Sequence, residues 1–200
     1  RNYSVGDKVK IPQYKGQILA TAASFIVVCG GISSYFVPAK YMSVDINPSV
    51  MMTINIYNRV INTKPLNDDA EILLSKTDVS GMSVSESMDE LIKKSEEIGY
   101  LNEHNKDVIV EVVDGIGKIK LPDKNYGDVE VIIENADKAD LKNAKEMGVS
   151  IAKARAIAEY TKQNGGSIEE NVHKLENQSV KEIRRNLENK SEVKIESKTE

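Results

Sequence analysis

The first feature of the chain is a long run without charge near its N-terminus. Residues 17–39 contain no Asp, Glu, Lys or Arg, and residues 17–37 read QILATAASFIVVCGGISSYFV. As a helix this run would be roughly 30 Å long, which is the thickness of a bilayer's hydrocarbon core. The pattern predicts a transmembrane helix over residues 17–37. The alternatives are a buried core helix and a secretory signal peptide.

After this run, the apolar positions recur at every second residue, which is typical of β-strands. Residues 41–47 alternate between apolar and polar side chains, and the alternation resumes after Pro48. A turn-like pair, Asn58–Arg59, then leads into Val60–Ile61, so we predict a hairpin or meander. Its first strand has Met42, Val44 and Ile46 on one face and Tyr41, Ser43, Asp45 and Asn47 on the other.

Further elements follow from composition and from capping signals. Two segments rich in β-branched residues are predicted to be strands, Asp107–Val113 and Asp128–Ile133. The spacing Ser-x-x-Glu, which begins many helices, occurs at Ser83, Ser167 and Ser179. Helices are also predicted over Asp68–Leu74 and Val149–Lys162. The order of elements indicates that the single transmembrane helix is followed by an α/β domain that resembles an α+β sandwich. This domain has a helical C-terminal portion at Lys138–Leu187.

Charge is distributed unevenly along the chain. The net charge is −4, yet residues 1–16 carry +3 and residues 40–200 carry 30 acidic against 23 basic groups. The positive-inside rule predicts a single-pass cell-membrane protein with a cytoplasmic N-terminus and an extracytoplasmic C-terminus. An acidic outer part without a basic stripe argues against nucleic acid as a partner. Cys29 is the single cysteine, so no disulfide within the chain and no thiolate metal cluster is expected.

Motifs of turnover enzymes are absent from the sequence. It contains no GxSxG, HExxH, GxxxxGK[ST] or GxGxxG pattern. His104 and His173 lie in polar surroundings, where solvated surface roles are expected. No cofactor or metal site is predicted.

One dipeptide, Asn47–Pro48, has reactivity of its own. Proline has no N–H, so the ordinary deamidation route through the following nitrogen is blocked. The Asn47 side-chain nitrogen can instead attack its own main-chain carbonyl carbon, form a succinimide and expel Pro48 as an amine. Strain and oxyanion stabilisation would be needed, and Asp45, Ser43 and Ser49 are the candidates to assist. The alternative is that Asn-Pro simply makes a bend.

Several segments together resemble the RsgI family of membrane-bound anti-sigma factors over residues 17 to about 187. The most specific is YMSVDINPS at 41–49, together with LIKKSEEIGYL at 91–101. The others are NRVI at 58–61, LNDDAEILL at 66–74, VIVEVV at 108–113 and GVSIAKARAIAEY at 148–160.

The resemblance implies a signalling role. In this family a cytoplasmic domain holds a SigI-type sigma factor, and an outer domain cuts itself at Asn-Pro while the pieces stay joined through the sheet. Separation then exposes the remaining stub to an intramembrane protease, and longer members carry polysaccharide-binding modules. Carried over here, the scissile bond is Asn47–Pro48, with at most one turnover per molecule. The family pattern differs at Val50–Met52, where an acidic residue was expected.

The resemblance also assigns the segments. Residues 1–16 are expected to be a cytoplasmic remnant of the sigma-binding domain, 17–37 the membrane helix, 38–188 the self-cleaving domain and 189–200 a flexible tail. A membrane-tethered module that binds wall polysaccharide or a partner protein without self-cleavage is the alternative function.

Overall fold

The computed structural model describes residues 14–121 and 125–196. Its first helix, α1, spans Tyr14–Tyr35 and belongs to one compact unit, whereas the chain from Val37 onward belongs to a second. The greater part of the predicted segment 1–16 lies outside the described residues.

The prediction that residues 17–37 form a transmembrane helix is wrong. A helix does form over most of residues 17–37, but none of the helices within the described ranges is both long and apolar enough to cross a bilayer. Such a span needs about 20 predominantly apolar residues. In α1, Thr21, Ser24, the Gly30–Gly31 pair and Ser33–Ser34 interrupt the apolar run.

The second unit is an α+β domain built on a mixed five-stranded sheet. The strands are β1 (Lys40–Asp45), β2 (Ser49–Ile54), β3 (Val60–Pro65), β4 (Asp107–Val113) and β5 (Glu130–Asn135). Their order is β3-β2-β1-β4-β5, so β1 is the central strand. It pairs antiparallel with both neighbours, and only β4 and β5 are parallel. The predicted hairpin and the later strands are confirmed, within two residues at each end.

One face of the sheet is covered by α2 (Asp68–Lys76) and α3 (Val84–Glu97). The predicted capping box at α3 is confirmed, since Ser83 and Glu86 bond to each other's backbone N–H. Apolar side chains of both helices pack with Met42, Val44 and Ile46 of the β1 segment in the largest hydrophobic cluster. The predicted apolar face of β1 is therefore a core face.

The opposite face is covered too, by α4 (Lys138–Met147) and α5 (Ile151–Asn164). Gly148, in the left-handed conformation, ends α4 and turns the chain into α5. Two further helices, α6 (Ile168–Lys174) and α7 (Val180–Glu196), pack on α5. Helix α7 extends into the predicted tail, and residues 197–200 lie outside the described residues. The sheet thus lies between two helical layers, and both faces of β1 are buried.

Candidate active site

The site begins at the turn between β1 and β2, which consists of Ile46, Asn47 and Pro48. The Ile46 N–H donates to the Pro48 carbonyl at 2.8 Å. Asn47 is exposed and has a φ of 61°, in the left-handed region, which residues other than glycine seldom adopt and asparagine adopts more often than most. A residue before proline also prefers extended backbone. The peptide bond from Asn47 to Pro48 therefore follows a residue in an unfavourable backbone conformation, at a cost on the order of 1–3 kcal/mol.

A cleft of about 680 Å³ opens beside this turn, at the end of the sheet where β1 finishes. The turn and the start of β2 form one side, and the segments that begin α5 and α7 form the other. Side chains with chemistry along its walls include Asp45, Asn47, Asn67, Asn105, Ser150 and Lys153.

Asp45 is the buried acid of this cleft. Its Oδ1 accepts a hydrogen bond from the Ser49 hydroxyl at 2.6 Å, while its Oδ2 has no direct hydrogen-bond partner among the described residues. Burial raises the pKa of Asp45, and the nearby hydroxyls of Ser49 and Ser150, together with the charges of Lys153 and Arg184, oppose that rise only in part. Asp45 therefore keeps its proton to a higher pH than an ordinary carboxyl group.

The structure brings four of the five predicted site residues together. Ser49 bonds to Asp45, and Asn47 and Pro48 form the turn between them. Ser43 is different, because it lies four residues before Asn47, about 13 Å along the strand. Its buried hydroxyl, opposite Glu111 of β4, has no hydrogen-bond partner in the described part of the chain. The catalytic roles of all five residues remain predictions.

Two asparagines at the turn were missed by sequence reasoning. The Asn105 side-chain nitrogen donates to the carbonyls of Ile46 at 3.0 Å and Tyr100 at 2.9 Å. The Asn67 side-chain oxygen accepts from the Ser49 N–H at 3.1 Å. Asn67 also caps α2, a role that its position before Asp68 and Asp69 could have signalled. No local signal identifies Asn105, whose contact with Ile46 spans 59 residues of chain.

A charged network lies further along the same face of the sheet. Glu111 of β4 is fully buried and pairs with Arg155 of α5 at 3.0 Å, while Arg184 of α7 holds Glu134 of β5 through two hydrogen bonds of 2.7 and 3.0 Å. Burial raises the pKa of Glu111 to about 7, although Arg155 opposes this. The network ties the helical C-terminal portion to the sheet.

Metal binding finds no support in the described ranges. They contain no group of three or more His, Cys, Asp and Glu side chains placed to hold an ion. The chemistry available at the turn is that of the left-handed backbone of Asn47, side-chain amides, hydroxyls and the buried acid Asp45.

Comparison with known proteins identifies relatives over most of the second unit. Residues 39–159 match the model of the anti-sigma factor RsgI-like central domain. Anti-sigma-I factor RsgI7 of Acetivibrio thermocellus is 28% identical over 84% of this chain and 34% of its own length. RsgI5 of the same organism is 39% identical over 35% of this chain and 15% of its own length.

The similarity extends to a second organism. Anti-sigma-I factor RsgI of Bacillus subtilis is 29% identical over 56% of this chain and 30% of its own length. The chain thus spans about a third or less of the length of these relatives.

Proposed function

The chain belongs to the family of RsgI-like anti-sigma factors, and on that premise we propose that it regulates a SigI-type sigma factor after cutting its own backbone at Asn47–Pro48. The single observation that carries the self-cleavage is the left-handed Asn47 directly before a buried proline, beside a buried acid. An asparagine that served only as a bend would need neither that acid nor the cleft.

The proposed reaction is an internal transfer of the acyl group. The Asn47 Nδ2 attacks the Asn47 carbonyl carbon, the bond from that carbon to the Pro48 nitrogen breaks, and a C-terminal succinimide forms. The proton that Nδ2 loses balances the proton that the Pro48 nitrogen gains. Strain in the reacting backbone lowers the barrier because it is relieved when the peptide breaks.

Asp45 is the group we assign to the proton transfer. Leaving amines depart readily only once protonated, and a buried carboxyl whose pKa is raised can supply that proton. The Ser49 hydroxyl, 2.6 Å from Oδ1, orients the carboxyl, and Oδ2 has no direct hydrogen-bond partner within the described part of the chain. After donating, Asp45 regains a proton from the attacking amide.

The cleaved pieces are expected to stay together. The strand left on the N-terminal piece, β1, is central, so it keeps hydrogen-bonded ladders with β2 on one side and β4 on the other. At the opposite end of β1, the buried Lys40 donates to Asn58 at 2.7 Å and to the Lys118 carbonyl at 3.0 Å. Both partners of Lys40 belong to the C-terminal piece.

The proposed signalling uses this arrangement. A signal that withdraws β1 would separate the piece that ends at Asn47 from the sheet, and a second protease acting on that piece would free the sigma factor. The membrane location, the intramembrane protease and the polysaccharide ligand stay predictions of the resemblance. Topology mapping with N- and C-terminal reporters would test the location.

The proposal is tested by a matched pair of proteins, the wild type and Asn47→Gly. Glycine accepts the positive φ of position 47 but has no side-chain amide that could act as the nucleophile. We expect the wild type to give fragments 1–47 and 48–200 on a denaturing gel, with the glycine variant intact. A wild-type chain that stays whole would reject self-cleavage and favour the binding module.

A further inference from the structure

We propose that Asn105 and Asn67 are positioning residues for the cleavage, and that together they hold the two peptide units that flank the reacting one. We refer to this pair as the asparagine clamp. The inference rests on the proposed self-cleavage, and it adds to it the groups that keep the strained turn in its reactive shape.

Asn105 holds the side of the turn before Asn47. Its amide nitrogen donates to the Ile46 carbonyl, which belongs to the peptide unit that leads into Asn47. The same nitrogen also donates to the Tyr100 carbonyl, so both of its hydrogens are used and the amide is fixed in place. Fixing this peptide unit fixes the direction from which the backbone enters Asn47.

Asn67 holds the side after Pro48. Its Oδ1 accepts from the Ser49 N–H, which belongs to the peptide unit that follows Pro48. The Ser49 carbonyl is held as well, by the Leu66 N–H at 2.9 Å. Asn67 is the N-cap residue of α2, and its Oδ1 also accepts a hydrogen bond from the Ala70 N–H, so its side chain has a defined position.

The consequence is a short stretch of backbone with few remaining rotations. Between the two held peptide units, the proline ring already fixes φ of Pro48. The scissile peptide can therefore turn little, and Asn47 is kept in its left-handed state instead of relaxing to extended backbone. Reactions of this kind depend steeply on alignment, and a displacement of about 1 Å can cost on the order of a hundredfold in rate.

The alternative explanation is that both asparagines only stabilise the fold. The two explanations differ in what a conservative substitution does. At position 67, Asp keeps an acceptor of the same length and Ser keeps the helix cap, but the serine hydroxyl is too short to reach the Ser49 N–H as well. At position 105, Asp has the shape of Asn but no hydrogen to donate to the two carbonyls.

The experiment measures the rate of fragment formation after rapid refolding of the full chain from denaturant, with melting temperature recorded for the same variants in an Asn47→Gly background. We expect Asn105→Ala, Asn105→Asp and Asn67→Ser to cleave at least about tenfold more slowly than the wild type. Asn67→Asp should cleave within about twofold of the wild type. Asn67→Ser and Asn67→Asp should melt at similar temperatures, which separates position from stability.

A matched control is Asp137→Ala, which removes the cap of α4 away from the turn. It should lower the melting temperature and leave the rate unchanged. Wild-type rates in both Asn105→Asp and Asn67→Ser would overturn the clamp while leaving self-cleavage intact. If Asn105 variants fail to fold, the comparison of Asn67→Ser with Asn67→Asp decides alone. A wild type that never cleaves rejects the proposed function itself, and the clamp with it.

Discussion

The two faces of strand β1 are built differently. Met42, Val44 and Ile46 are apolar, almost fully buried and part of the largest hydrophobic cluster. On the opposite face, Ser43 and Asp45 are equally buried, yet each has a polar atom with no hydrogen-bond partner among the described residues. The apolar face holds the strand in the sheet, whereas the polar face lowers the stability of the fold and carries the acid of the candidate site.

This division suits a strand that is cut at its end and must still stay in place. Burying an unsatisfied polar group costs about 1–3 kcal/mol, so the polar face weakens the hold on β1. Full burial of an apolar side chain contributes roughly 1.5–3 kcal/mol, so the apolar face more than offsets that loss. Changes on the apolar face should therefore affect stability, and changes to Asp45 should affect chemistry.

The largest effect is expected from Asp45→Asn, on the rate of cleavage. Without the acid, the rate should fall by on the order of a hundredfold or more. In the wild type, the raised pKa of Asp45 means that the rate should decline as pH rises through that pKa. The variant should lose this decline, as a pH series of refolding time courses would reveal. A rate and pH profile like those of the wild type would contradict the role of Asp45.

The next effect is on the apolar face, with Met42→Ala. Met42 is fully buried, so its truncation should lower the free energy of unfolding by about 2–5 kcal/mol. Urea unfolding in an Asn47→Gly background measures this without interference from cleavage. Met42→Leu is the control and should lose less than about 1.5 kcal/mol. Equal losses in the two variants would mean that the packing of this face is not what holds β1.

A smaller effect concerns Glu111 and pH. Because burial raises its pKa from 4.5 to about 7, the folded state binds more protons than the unfolded state in that window, and stability falls as pH rises through it. Glu111→Gln should reduce this fall by on the order of 2 kcal/mol. The raised pKa of Asp45 adds to the fall in stability in the same direction. Denaturation curves between pH 5 and about 8 would measure how the free energy of unfolding changes with pH. The same pH dependence in Glu111→Gln as in the wild type would contradict the role of Glu111.

The smallest effect is expected from Ser43→Ala, which tests the difference between the two faces of β1. Ser43→Ala removes a buried hydroxyl that has no hydrogen-bond partner among the described residues, so the free energy of unfolding should change by less than about 1 kcal/mol, in either direction. Its neighbour Met42, truncated to the same alanine, should cost several times more. A loss at Ser43 as large as that at Met42 would erase the difference between the faces.

Local pattern was sufficient to predict β1, β2 and the N-termini of several helices, because alternation and Ser-x-x-Glu spacing are properties of neighbouring residues. It did not reveal that Ser43 and Asp45 are buried, since a polar alternation does not indicate which helices will cover it. Nor did it place β1 at the centre of the sheet, which depends on pairing with β4 more than sixty residues away. The contact of Asn105 with the turn follows from that same pairing.

The prediction of a membrane span failed for another reason. It depended on the absence of charge over residues 17–39, whereas crossing a bilayer requires sustained apolar character over the whole helix. The serines, threonine and paired glycines of α1 matter for that criterion although they carry no charge.

Whether Asn47 cuts its own peptide bond is decided by mass and end-group analysis of the purified wild-type protein. Self-cleavage gives a C-terminal fragment that begins at Pro48 and an N-terminal fragment that ends in a succinimide at Asn47. The two fragment masses should add up to that of the intact chain, and exceed it by one water once the succinimide hydrolyses. An intact chain, or fragment ends at any other bond, would contradict self-cleavage at Asn47–Pro48.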